Sequence, residues 1–291
     1  MAAAVPVLIG VMLIALCSAA WPAIQRFGAR FFATSTWDPV AGNFGVLPFI
    51  YGTLVSSALA LLIAVPLGLG VAIFLSELAP GWLRTPVGFF VELLAAIPSV
   101  VIGLWGIFVL VPWVRTALEP LLKSALGFLP LFSGPPLGIG MLTAGLILSI
   151  MVVPFIVAVS TEVMRAVPPA QREAARALGA TGWETTRTAV LPYARSGIIG
   201  AVFLALARAL GETMAVTMVI GNVPQIKISL FAPAYTIPAV IANEFTEATS
   251  DLYVAALIYA GLVLFIVTVA VNALARVLVN RAARGPSMIR E

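Results

Sequence analysis

Histidine is absent from all 291 positions. That removes Ser-His-Asp and Cys-His nucleophilic catalysis, the HExxH zinc site and any imidazole proton relay. Cysteine is nearly as scarce. Cys17 stands alone inside an apolar run, so no disulfide closes within the chain and the redox compartment cannot be read from it. A single thiol with scattered carboxylates is a poor donor set, and no metal is expected. Lysine occurs only at Lys123 and Lys227, and neither follows a GxxxxGK[ST] pattern, so a nucleotide-phosphate loop is missing. Charged residues make up only 10% of the chain, where a soluble domain carries roughly 25%. The net charge of +4 comes from basic residues dispersed among apolar stretches, which argues against nucleic acid as a partner. No internal repeat or low-complexity linker is visible, so one domain over residues 1–291 is the economical reading.

What fills the chain is apolar: 62% of residues are hydrophobic. A chain of this composition has too little polar surface for water and is suited to lipid. The fold class expected is all-α, a polytopic membrane bundle of about six helices. Six runs approach the ~20 residues a span requires: Val5–Ile24, Phe49–Leu75, Phe89–Val111, Met141–Ser160, Ser196–Ile220 and Tyr253–Val279. The first run has no basic residues before it, and Trp21-Pro22 stands where a cleavage site would need small residues. It reads as a span, not a signal peptide. Pro66, Pro98, Gly103 and Pro154 fall inside runs, where neighbouring helices can satisfy freed carbonyls, and Ser99 beside Pro98 reads as packing.

The cations divide unevenly between the loops. Arg26, Arg30, Arg115, Lys123 and Lys227 follow spans one, three and five. Arg84, then Arg165, Arg172, Arg176, Arg187 and Arg195, then Arg276, Arg281, Arg284 and Arg290 fall on the other side. The positive-inside rule places the second set, and both termini, in the cytoplasm. The apolar, proline-rich loops 113–140 and 221–252 on the opposite side read as interfacial or re-entrant segments.

The cytoplasmic segment 161–195 is the most informative. Pro168-Pro169 suits a helix start, and Gln171 to Leu178 is alanine-rich with arginines. Gly179 fits a left-handed stop, and Thr181 with Glu184 has capping-box spacing. With Pro192 as terminator, the reading is two short helices joined by a tight turn outside the membrane. Glu173-Ala174-Ala175, Gly179 and Leu191-Pro192 resemble the EAA loop of bacterial ABC-importer permeases, although Ala189 stands where that pattern has isoleucine. The resemblance implies that this loop docks into a groove of a separate ATPase subunit, which would hold ATP and Mg²⁺, with no cofactor in the present chain.

Arg208 and Glu212 lie near the middle of the fifth run, with Arg208 about 18 Å from either end of a continuous helix. A central charge costs about 2.5–3.5 kcal/mol on insertion scales and must face protein or water. Four residues apart, the two heads share one face of such a helix and form either a structural ion pair or part of an anion pathway. Thr213 and Thr217 bring hydroxyls nearby, although a threonine in a span more often bonds its own backbone. The string RALGETMAVTMVIGN from Arg208 to Asn222 resembles the C-type permease subunits of phosphate-specific ABC importers. So do TSTWDPVAGNFG (34–45), ELLAAIPSVVIGLWG (92–106) and ANEFTEA (242–248). That resemblance implies roles for Arg208 and Glu212 in moving phosphate. It also implies a heterodimer with a related A-type permease, two ATPase subunits, and an extracytoplasmic phosphate-binding protein at the inner membrane. On ATP binding the ATPase pair would close, pull on the loop and open the bundle outward. Two other readings remain: a permease of the same type for molybdate or sulfate, or an ion-coupled secondary transporter, which normally carries an internal repeat.

Overall fold

The computed structural model describes residues 4–283, with side chains to residue 277. Arg284 and Arg290, expected on the cytoplasmic side, lie outside the described residues. The helices are α1 (Ala4–Phe27), α2 (Arg30–Ala33), α3 (Leu47–Leu78), α4 (Gly81–Ala96), α5 (Ser99–Leu126) and α6 (Met141–Arg165). They continue with α7 (Pro169–Ala177), α8 (Gly182–Gly211), α9 (Met214–Val219), α10 (Ile237–Glu244) and α11 (Asp251–Ala283). Six of them, α1, α3, α5, α6, α8 and α11, are long and apolar enough to cross a bilayer. A two-stranded antiparallel hairpin, β1 (Trp37–Asp38) with β2 (Asn43–Phe44), follows α2.

α6 is the central element. Buried residues make up 67% of its most apolar window, against 11% for α1 at the rim. α3 and α8 both pack along α6, and α1 packs along α11. The buried face of α3 is built of small side chains at helical spacing, Thr53, Ser56, Ser57, Ala60, Ala64 and Ala72. Small residues let backbones approach closely, which is how helices associate in lipid without a hydrophobic drive between them. Thr53 and Ser56 return their hydroxyls to Phe49 O and Gly52 O, so these buried groups are satisfied within the helix.

Four places in the long helices carry a widened turn closed by a bond to the carbonyl five residues back. The donors are Ala79, Val111, Glu119 and Leu191, and the acceptors are Phe74, Gly106, Val114 and Thr186. Each donor immediately precedes a proline: Pro80, Pro112, Pro120 and Pro192. A helical proline has no N–H and collides with the carbonyl four residues back. The extra residue in the turn moves that carbonyl away, and at the last three sites the helix runs on.

That accounts for one correction. Pro192 does not end a short cytoplasmic helix, because α8 continues through it from the loop into span five. Two further corrections concern boundaries. The third run breaks at Ile97-Pro98, both extended, because the residue before a proline is disfavoured in the helical region. Phe89 therefore belongs to the separate helix α4, and the spanning helix runs from Ser99 to Leu126 into the segment expected to be loop. The fifth run breaks at Glu212, whose ψ of 128° is extended.

The opposite ends of α3 organise the two poles of the bundle. Near its start, Tyr51 donates to Lys227 O, and Phe49 packs edge-on against Trp37 of the hairpin. Near its end, Arg84 reaches Ser76 O and Ala79 O, and Glu77 pairs with Arg172. Lys227 on the one hand and Arg84 and Arg172 on the other, which the sequence assigns to opposite sides, are thus found at opposite poles.

Candidate functional site

The loop between α6 and α8 forms the first part of the site. α7 starts on Pro169, as the dipeptide predicts. Gly179 stops it with φ +89°, and nothing stands within 4 Å of where its side chain would be. Thr181 and Glu184 then form a complete capping box, with Thr181 N donating to Glu184 Oε2 at 2.8 Å and Glu184 N donating to Thr181 Oγ1 at 3.3 Å. Glu173, Ala174 and Gly179 are exposed and Ala175 is partly so, which leaves this face of the loop open to another protein. Leu191 packs with Val190, Val167 and Ala194 at the foot of the bundle, while Pro192 is exposed.

One contact the sequence did not reveal fixes the loop. Arg172 donates from Nη2 to Glu77 Oε1 at 2.9 Å and to Met164 O at 2.8 Å, and from Nη1 to Val167 O at 2.5 Å. A longer bond runs from its Nε to Glu77 Oε2 at 3.3 Å. One guanidinium thus ties α7 to the ends of both α3 and α6. The side chains are only 18% and 7% exposed. A signal was present: Glu77 is the lone charged residue between Leu47 and Leu78.

The second part surrounds Arg208. It lies in the last turn of α8, three residues before that helix stops. The expected pairing with Glu212 is absent, because Glu212 is past the helix end and no longer shares a face with Arg208. The ion pairs among the described residues are Arg165–Glu162 and Arg172–Glu77. Arg208 instead lies over the ring of Phe155 in α6, 4.5 Å from its centroid, and its buried Nε has no hydrogen-bond partner. Thr213 Oγ1 bonds back to Gly211 O and Thr217 Oγ1 to Thr213 O, so both hydroxyl hydrogens serve local backbone.

The break at Glu212–Thr213 leads into α9, which packs against α5. Gly103 permits the contact: a methyl group there would sit 2.5 Å from Met218 Sδ and 3.1 Å from Ala215 Cα. Asn222 adopts φ +52°, and its side-chain amide donates to Thr217 O at 2.9 Å, closing the end of α9. The strings 92–106 and 208–222, picked out separately in the sequence, are therefore in contact. The other two strings meet as well. Trp37 Nε1 of the hairpin and the Tyr253 hydroxyl both donate to Glu244 Oε2, at 2.7 and 2.5 Å. Within the loop 221–252, α10 packs into the bundle, with Ile237, Pro238, Ala239 and Val240 buried.

Chemically, the arrangement offers a permanent cation with an unused donor beside a chain break whose residues Gly211 to Met214 are partly or fully exposed. Interrupted helices at membrane depth occur where backbone is buried in protein or lines a cavity.

Comparison with known proteins identifies the family. Residues 64–284 match the family described as binding-protein-dependent transport system inner membrane component. The phosphate transport system permease protein PstC of Mesorhizobium japonicum is 52% identical over 279 residues, 94% of this chain and 85% of that protein. PstC of Xylella fastidiosa is 52% identical over 284 residues, 94% of this chain and 87% of that protein. Among solved structures, a bacterial ABC transporter involved in the import of the acidic polysaccharide alginate superposes with a TM-score of 0.59 at 20% identity, covering 94% of each chain, which speaks to fold alone. The chain is a multi-pass membrane protein that belongs to the family of binding-protein-dependent transport system inner membrane components, in the group whose curated members are phosphate transport system permeases.

Proposed function

We propose that this chain is the C-type permease of an ATP-driven importer and carries inorganic phosphate past Arg208 into the cytoplasm. The observation that carries the reading is the half-buried Arg208, whose buried Nε has no hydrogen-bond partner, at the point where α8 gives way to irregular backbone. Guanidinium matches two phosphate oxygens with parallel N–H donors and stays charged at any working pH. The identity to PstC proteins over 94% of the chain supports phosphate over other oxyanions.

In this reading the exposed face of α7, with Glu173, Ala174, Ala175 and Gly179, docks onto one of two separate ATPase subunits. Those subunits supply ATP and Mg²⁺, and Leu191 and Pro192 form the root of the loop. A related A-type permease completes the pathway, and an extracytoplasmic binding protein delivers phosphate at the opposite pole. The loop and both termini are cytoplasmic, as the excess of arginine around α7 supports. In the same reading Glu212 and Thr213, at the break, and Thr217, a turn beyond, line the route.

Arg208→Ala is expected to abolish ATP-dependent phosphate uptake by the reconstituted transporter while its subunits still co-purify. Normal uptake by that variant would refute the role. Competition with molybdate and sulfate tests the choice of anion, and uptake that persists without an ATPase partner would favour a secondary transporter.

A further inference from the structure

The pole away from α7 holds a charged feature the transport reading does not use. Arg26 and Arg30 follow the last apolar turns of α1 and face a common cleft of about 350 Å³ beside the hairpin. Thr34, Thr36 and Asn43 complete its polar lining, with Phe31 and Phe44 behind them. Neither guanidinium belongs to the ion pairs formed among the described residues. Arg26 lies 5.7 Å from the Phe27 ring centroid, a weak contact that leaves its N–H groups unused. The hairpin carboxylate does not neutralise the pair: Asp38 Oδ1 accepts from Val40 N and Ala41 N, both at 3.0 Å, within its own turn. Both arginines are exposed, so two neighbouring cations stand open to a ligand of opposite charge on the side that is otherwise poor in basic residues.

Depth and surroundings indicate which one. α1 packs along α11, and Ile14, Ala15, Cys17 and Ala19, about 10–18 Å along the helix from Arg26, are exposed, an apolar surface within reach of acyl chains in that leaflet. Trp21, 55% exposed, marks the level where amphipathic rings settle between hydrocarbon and headgroups. Arg26 comes five residues later, about 7.5 Å along the axis at helical rise, which is the level of lipid phosphates. We propose that Arg26 and Arg30 form a binding site for the phosphate of an anionic phospholipid, whose acyl chains lie along α1 in the leaflet opposite the coupling helix. Two guanidinium forks and neutral hydroxyl and amide groups suit a phosphodiester. A zwitterionic headgroup would bring its own cation against the two arginines. Free inorganic phosphate shares the recognition chemistry, but it would leave the apolar flank of α1 without a role.

The test uses the assembled transporter, stripped of lipid in detergent and titrated with phosphatidylglycerol or phosphatidylcholine while bound lipid is read by native mass spectrometry. The wild type is expected to take up phosphatidylglycerol at about tenfold lower concentration than R26Q/R30Q, with no difference for phosphatidylcholine. R26Q and R30Q alone are expected to fall between, and they keep the test readable where the double variant does not assemble. Equal phosphatidylglycerol uptake by wild type and variants overturns the site. A parallel arm measures equilibrium binding of radiolabelled inorganic phosphate without lipid. Arginine-dependent phosphate binding together with arginine-independent lipid uptake would reassign the cleft to the free anion.

Discussion

At the scale of single residues, two guanidinium groups sit in different settings. Arg208 is held by a ring, and a cation–π contact contributes about 0.5–2 kcal/mol depending on desolvation. Phe155→Leu is therefore expected to lower phosphate uptake by roughly 3- to 30-fold, with the transporter still assembled; an unchanged uptake rate in proteoliposomes would contradict it. Arg208→Lys keeps the charge but loses the planar fork, and its uptake is expected to fall far below wild type. Arg172 differs in that its donors go to Glu77 and also to two backbone carbonyls. Glu77→Gln should cost about 1–3 kcal/mol, less than a fully orphaned buried charge, because those carbonyls still accept. Exchanging the two side chains should not rescue it, since a carboxylate at 172 would then face Met164 O and Val167 O. Thermal unfolding of the single and exchanged variants decides this. Arg208 was legible as a charge in an apolar run. Its partner was not, because spacing of four implies a shared face only while the helix continues, and Gly211-Glu212-Thr213 gave no firm sign that it stops. Phe155 was hidden for a related reason, since no single-chain pattern says which ring of span four will meet span five.

At the scale of elements, local chemistry was readable and tertiary compensation was not. The Pro169 start, the Gly179 stop and the Thr181–Glu184 box are short-range devices, and each formed where the residues predict. Gly179→Val is expected to destabilise the loop by about 1–2 kcal/mol through its left-handed backbone alone, since its surroundings are open. Weaker ATPase co-purification at unchanged bundle stability would report that. Prolines were misread because a proline at 192 normally stops a helix, whereas here the widened turn before it absorbs the missing donor. The Gly103 contact is long-range in the same sense. Gly103→Leu pushes α9 off α5, and the expected result is a loss of uptake larger than the loss of thermal stability. Equal effects on both would mean the contact serves packing only.

At the scale of the whole molecule, the continuity of α8 matters most. It runs 30 residues, about 45 Å at helical rise, from the loop beside α7 to the turn that holds Arg208. A helix that stopped at Pro192 would transmit force through a flexible joint. An unbroken one carries displacement of the loop directly to the guanidinium and the break that follows it. Arg172 fixes α7 against the ends of α3 and α6, so in the proposed assembly a pull on α7 would move those helices together with the root of α8. The continuity can be weakened without touching the exposed face of α7 or the break beyond Arg208. Pro192 and Tyr193 are both exposed, so Pro192→Gly with Tyr193→Gly deletes no packed side chain while making the joint pliable. In the proposed assembly the ATPase subunits should still co-purify with this variant, and basal ATP hydrolysis should remain. Stimulation of hydrolysis by the phosphate-loaded binding protein, and uptake with it, should fall at least several-fold. Full stimulation and uptake in the double-glycine variant would mean that the stroke reaches Arg208 through α3 and α6 instead of along α8.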